Sequence, residues 1–215
     1  EANAATCVDD GNVEYWSCSA CDKKFSNEDS TDEITTVVVS KTGLHDYDSN
    51  GICTNCGAER VVDVWDGTVA TGFGSGDGSA NNPYIISSGA EFAYFISAIN
   101  SGVDGVAGSN FSLVCDIDFN NIDLNIITSA FSGFFDGNGN TLSNVKLVSS
   151  TSAYYGLFRS NSGTIQDLNI TTLSVSVTKT PGTIYAGGLV AYNTGVVNNC
   201  SVSGTINYNI ICSSA

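Results

Sequence analysis

Residues 187–206 read GGLVAYNTGVVNNCSVSGTI. The stretch holds no His, Lys, Arg, Asp or Glu, yet its glycines, asparagines and apolar residues recur elsewhere at fixed distances. From Gly188 it aligns without a gap to GLFRSNSGTIQDLNI, residues 156–170, at an offset of 32. Gly156 meets Gly188, Leu157 meets Leu189, Asn161 meets Asn193 and Gly163 meets Gly195. A further copy, GFFDGNGNTLSNVKL at 133–147, aligns with 156–170 at an offset of 23. The nine extra residues of the longer spacing fit an excursion within 171–186, where Pro181-Gly182 marks a turn.

A repeat of this length is one coil of a β-solenoid, because a single coil cannot bury its apolar face and must share it with neighbours. Three columns are expected to point inward: Leu142, Ile165 and Val197; Val145, Leu168 and Cys200; Leu147, Ile170 and Val202. The glycines mark corners, and Asn138, Asn161 and Asn193 are expected to hydrogen-bond from coil to coil. On this reading the opening stretch is scaffold.

Upstream, GFGSGDGSANNP at 72–83 is a turn-rich link in which Asp77 reads as a loop residue, with a calcium loop as the alternative. Ser88 and Glu91 have capping-box spacing, and Phe92, Phe95, Ile96 and Ile99 follow at i, i+3, i+4 and i+7. A helix over about 89–100 is predicted, capping the solenoid at its N-terminal end. FSLVCDIDF at 111–119 alternates, so Phe111, Leu113, Cys115, Ile117 and Phe119 face inward and Ser112, Val114, Asp116 and Asp118 outward. The other end offers no helix after residue 206 and no charge run. The chain is expected to continue past 215 or to pack that end on a partner.

The 215 residues divide near residue 60, giving a small module over 1–60 and the solenoid over 61–215. Five of eight cysteines and the single His precede residue 57. Cys18-Ser-Ala-Cys21 and Cys53-Thr-Asn-Cys56 are C-x-x-C pairs, each able to present two thiolates to one metal ion. A zinc-ribbon-like site of Cys18, Cys21, Cys53 and Cys56 is expected, with Cys7 and His45 as alternate ligands and disulfides as the competing state. There is no H-E-x-x-H, so the zinc would be structural.

Seven basic residues stand against 22 acidic ones, a formal charge of −15 that opposes binding to nucleic acid or anionic lipid. No stretch is long and apolar enough to span a bilayer as a helix. With no Met at position 1 and no signal peptide, the chain reads as a processed portion of something larger, placed at a cell surface.

Two resemblances sharpen these expectations. AATCVDDGNVEYWSCSACDKKFSNEDSTDEI, followed by TGLHDYDSNGICTNCGAE, resembles short Cys-rich repeats of large surface proteins of anaerobic gut bacteria. That implies a spacer or stalk module over residues 1 to about 60. SGDGSANNPYIISSGAEFAYFISAINSG, FSLVCDIDF, FSGFFDGNGNTLSNVKL, YYGLF and GGLVAYNTGVVNNCSVSGTI occur in order and resemble bacterial surface proteins bearing the GLUG motif. That resemblance, over about 75–210, implies a right-handed parallel β-helix on an exported protein. The metallopeptidase motif that accompanies some GLUG proteins is absent.

Chemistry on such a coil would use outward carboxylates. Asp116, Asp118 and Asp136 are the candidates for acid–base work on a glycosidic bond, or for calcium, with Lys146 and Arg159 as local cations. Binding would instead use Tyr154, Tyr155, Tyr185 and Tyr192 as a platform for a host or cell-surface glycan or protein. The reading favoured is a non-enzymatic surface protein acting in adhesion, ligand display or spacing, with a β-helical polysaccharide lyase or hydrolase as the alternative.

Overall fold

A computed structural model of the chain describes residues 1–6, 9–29, 31–39, 48, 51–148, 153–179 and 183–210. Cys7, His45 and the Pro181-Gly182 turn lie outside them. The chain forms two compact units, Glu1–Arg60 and Val61–Ala215.

The first unit is built from two-residue strands: β1 (Gly11–Asn12), β2 (Trp16–Ser17), β3 (Lys24–Phe25), β4 (Glu33–Ile34) and β5 (Val38–Val39). Strands β2, β3 and β4 form one antiparallel ribbon, and β1 pairs with β5. Phe25 and Cys53 are its buried apolar side chains among the described residues. So small a core cannot by itself offset the chain entropy lost on folding.

The second unit begins with β6 (Val62–Val64) and β7 (Tyr84–Ile86), then helix α1 (Gly89–Asn100). Ser88 caps α1, its Oγ accepting from the Glu91 backbone N–H at 3.2 Å. Glu91 does not close a capping box; its carboxylate accepts instead from the Ser87 N–H and hydroxyl. The predicted face (Phe92, Phe95, Ile96, Ile99) is buried. Phe92 and Phe95 meet Phe111, Phe119, Phe131 and Phe135 edge-on or tilted, at 4.7–6.2 Å between ring centres.

Beyond the helix the chain makes successive passes of short strands. The first holds β8 (Asn110–Leu113), β9 (Asp116–Asp118), β10 (Asp123–Asn125) and β11 (Ile127–Phe131). The second holds β12 (Phe134–Asp136), β13 (Thr141–Ser143), β14 (Lys146–Val148), β15 (Tyr154–Tyr155) and β16 (Phe158–Asn161). The third holds β17 (Thr164–Gln166), β18 (Asn169–Lys179), β19 (Tyr185–Ala186) and β20 (Val190–Asn193). The last is β21 (Val196–Asn198) and β22 (Ser201–Ile210). Each strand pairs in parallel with its counterpart in the next pass, giving the sheets β7-β8-β12-β17-β21 and β11-β16-β20 and a third of β6, β9, β10, β13, β14, β18 and β22. The unit is thus mainly β, a solenoid-like stack of parallel strands.

The register confirms one predicted offset and corrects the other. Phe158 pairs with Val190 and Ile165 with Val197, the expected 32 residues. Phe134, however, pairs with Thr164, and Leu142 with Ile170, so the earlier spacing is 30 and then 28 rather than 23. The inward columns are therefore Phe111, Phe135, Ile165, Val197 and Ile117, Leu142, Ile170, Val202. The change from 30 to 28 has a local cause. Four residues, 137–140, join β12 to β13, whereas two join β17 to β18.

A better marker of the coil is the corner Ser132-Gly133, Ser162-Gly163, Thr194-Gly195. The N–H groups of Ser132, Ser162 and Thr194 donate to carbonyls of the preceding pass at 2.8–2.9 Å. A Cβ on Gly133, Gly163 or Gly195 would lie 2.0–2.1 Å from a carbonyl oxygen of that same pass, so only glycine fits. The asparagine column is partly as expected. Asn161 Nδ2 donates to Asn193 Oδ1 at 2.8 Å, but Asn138 sits at φ 50° and donates to the Ser112 hydroxyl and Leu113 carbonyl.

The 111–119 segment is two strands, not one. Val114-Cys115 turns a corner between β8 and β9, which belong to different sheets. The inward set Phe111, Leu113, Cys115, Ile117 and Phe119 is buried as predicted, but so is Asp116. Its Oδ1 accepts the Thr141 N–H at 2.7 Å, linking one pass to the next.

Candidate functional site

Three groups of residues carry the candidate chemistry. The first is aromatic. Residues β15 and β19 pair in parallel with Tyr154 opposite Tyr185, which places the two rings face to face, 4.8 Å apart and 7° from parallel. Tyr192, on β20, adds an edge-to-face contact to Tyr185 at 6.0 Å. The Arg159 guanidinium lies 4.9 Å from the centre of the Tyr154 ring and donates to the Thr128 carbonyl at 3.0 Å. Tyr185 and Tyr192 are 39% and 49% exposed. Three of the four predicted tyrosines therefore converge on one surface.

Tyr155 does not join them. Successive side chains of a strand point to opposite faces, so with Tyr154 on the outer face Tyr155 turns inward and is buried. Arg159 is the member that the sequence reading assigned elsewhere, as a cation for the carboxylates. Bends at Gly156 and Leu157 separate β15 from β16, the strand that carries Arg159.

The second group is the carboxylates. Asp118 Oδ1 accepts from the Asn120 N–H at 2.7 Å and from Asn144 Nδ2 at 2.9 Å. Asp136 Oδ1 accepts from the Asn138 N–H, and its Oδ2 from Gln166 Nε2 at 3.1 Å. With Asp116 bonded to Thr141, each of the three holds a turn or ties adjacent passes together. Asp116 and Asp118 are on β9, while Asp136 is on β12 of another sheet, where it lines a groove of about 420 Å³ with Pro83, Asn110, Ser112 and Phe134. Lys146 pairs with Asp123 at 2.6 Å. Asp77, the calcium-loop candidate, accepts from the Ser79 N–H at 2.9 Å, and the Ser79 hydroxyl contact holds its carboxyl below the usual range.

The third group is the cysteines. The two C-x-x-C pairs adopt one turn. Cys18 accepts from the Asp22 N–H and donates its own N–H to the Lys23 carbonyl, both at 2.9 Å. Cys53 accepts from the Gly57 N–H and donates to the Ala58 carbonyl, both at 2.8 Å. The residue after each second cysteine is left-handed, Asp22 at φ 57° and Gly57 at φ 72°. A hydrogen bond from Cys21 lowers the Cys18 thiol pKa, aided by the Ala20 and Cys21 N–H groups. No group of three or more His, Cys, Asp or Glu close enough to share a metal occurs among the described residues, so the two pairs are not gathered into one four-cysteine cluster there. Cys18, Cys21, Cys115 and Cys200 are free thiols. Burial, reinforced by the charges of Asp63, Asp116 and Glu91, pushes the Cys115 thiol up to about 12.

No protein family matches the chain, and no solved structure matches it. The chain is similar to halomucin of Haloquadratum walsbyi, with 30% identity over 171 residues. That alignment covers 74% of this chain and 2% of halomucin, so the chain corresponds to a small part of that relative's length. Among the described residues, no helix is long and apolar enough to cross a membrane.

Proposed function

We propose that the chain is a non-enzymatic portion of an exported cell-surface protein, which holds a glycan or a protein on the surface formed by Tyr154, Tyr185, Tyr192 and Arg159. The observation that carries this reading is the stacked Tyr154–Tyr185 pair with Tyr192 against it. Tyrosine rings lose little side-chain entropy on contact and offer both an apolar face and a hydroxyl, which suits them to sugar rings and protein partners. Similarity to halomucin and the GLUG-motif resemblance support the surface placement. The parallel register supports the finer reading of the coil as a right-handed parallel β-helix, with α1 closing one end and spacing the ligand surface from its attachment.

In the N-terminal unit the same reading gives the two matched Cys turns a structural zinc, each C-x-x-C pair supplying two thiolates; binding would draw together the two pairs, which are not gathered into one cluster among the described residues. A glycan array probed with the wild-type chain and with a Tyr154→Ala/Tyr185→Ala variant tests the central assignment. Binding that the variant loses supports it; equal signals from both chains sink it.

A further inference from the structure

Arg159 stands out by its surroundings. The chain has a net charge of −15, and the Val61–Ala215 unit holds three basic residues, Lys146, Arg159 and Lys179. Lys146 is paired with Asp123, whereas Arg159 is exposed and makes no ion pair among the described residues. No Asp or Glu occurs on the strands that adjoin it: β11 and β20 on either side of β16, and β15 with its partner β19. The guanidinium is also held in place. Its Nη1 donates to the Thr128 carbonyl of the preceding pass, and Tyr185 covers one face of Tyr154, which leaves the other to Arg159. A guanidinium carries five N–H donors, of which that bond uses one. The neighbouring passes flank it with Thr128 and Ala191, side chains too small to cover the rest. Because Arg159 lies on the middle of three described passes, its exposure belongs to the outer face of the stack.

Charge says what fits there. A protein of net −15 repels anions at long range, but that field is screened beyond about 10 Å at about 0.1 M salt. An Arg–carboxylate contact forms at about 2.8 Å, so the local cation decides. We infer that the ligand of the tyrosine surface is an anionic saccharide, its carboxylate or sulfate group bound by Arg159 and its sugar ring against the tyrosines. The inference rests on the reading of that surface as a ligand site, and it adds the class of ligand selected. A saccharide fits this surface better than an acidic peptide. Protein partners anchor large side chains in pockets, whereas the small residues beside Arg159 leave the face shallow. Phenol hydroxyls next to a guanidinium match the hydroxyl and acid groups of such a sugar.

Equilibrium binding by the 215-residue chain tests this with matched pairs of saccharides. One pair is an oligogalacturonate and its methyl ester; the other is a sulfated oligosaccharide and its desulfated form. In at least one pair the acidic member is expected to bind about tenfold tighter or more, with added salt narrowing the gap. Which pair responds tells carboxylate from sulfate. Arg159→Gln is expected to bring that ratio to about one, and Arg159→Lys, which keeps the charge but not the planar fork, to restore part of it. Equal binding of both members, with both lost in Tyr185→Ala, would overturn the inference while leaving the tyrosine surface as a site. Failure of the wild-type chain to bind any of these saccharides would overturn it together with the glycan reading of that surface. A ratio that survives Arg159→Gln, or tighter capture of poly-glutamate than of either acidic saccharide, would also overturn it.

Discussion

Tyr154 and Tyr185 lie in register on neighbouring parallel strands, 31 residues apart in sequence, with their rings stacked at 4.8 Å. The coil converts a distance along the chain into a fixed contact, and with it a surface that neither strand has alone. This contact depends on the corners that set the register.

Gly163→Ala places a methyl group 2.0 Å from the Gly133 carbonyl oxygen, so the two passes must separate. Stability is expected to fall by at least ~2 kcal/mol, in the range of overpacked cores. Gly139→Ala is the control, since its site is open and only φ +73° opposes the substitution, at about 1–2 kcal/mol. Urea titrations of the two variants should rank them in that order.

That corner also shows what the sequence made legible. Helix α1 could be read to the residue, because a capping serine and an i, i+3, i+4, i+7 face are local signals. The offset of 32 was legible because passes three and four share one corner and one loop length. The false offset of 23 arose because GFFDG and GLFRS share a Gly-x-Phe start while occupying different strands, β12 and β16. Gly133, Gly163 and Gly195 mark the true repeat, yet a glycine column is visible only once the extra residues at 137–140 are allowed for. The burial of Asp116 was hidden because the alternation continues through the corner at Val114-Cys115, while the next pass covers Asp116 through its bond to the Thr141 N–H. Tyr154, Tyr185 and Tyr192 are legible from aromatic content, but the contact of Arg159 with Tyr154 joins two strands of different sheets, which no local pattern marks.

Asp118→Ala removes the acceptor shared by the Asn120 N–H and Asn144 Nδ2. Loss of a carboxylate acceptor at a turn of this kind costs roughly 1–3 kcal/mol, which a lowered denaturant midpoint would report. A panel of acidic and neutral glycans incubated with the wild-type chain is expected to release no product. Product that disappears in Asp116→Ala or Asp118→Ala variants shown to be folded would establish the hydrolytic alternative instead.

Cys115 supplies a pH dependence with a definite sign. Its thiol stays protonated in the folded chain up to about pH 12, against an ordinary value of 9.0. Between those values the unfolded chain loses a proton that the folded chain keeps, so this group favours folding below pH 9 and its contribution is lost as pH rises toward 12. Between pH 8 and pH 10.5 the wild-type chain should therefore lose more stability than Cys115→Ala. Parallel losses would show that the thiol is not held protonated.

The metal assignment is open to direct measurement. Elemental analysis is expected to find one zinc per chain, with Cys18, Cys21, Cys53 and Cys56 protected from thiol reagents until a chelator is added. Metal-free protein with all four thiols reacting at once would remove the assignment.

The most direct test of the central claim is a titration of the saccharide or protein that the chain retains, comparing wild type with Tyr185→Ala. Loss of this ring removes the middle of the aromatic surface while leaving the buried columns intact. The account predicts a dissociation constant raised by about tenfold or more, as expected for about 1.4 kcal/mol of lost aromatic contact. An unchanged constant in a folded Tyr185→Ala chain would contradict it.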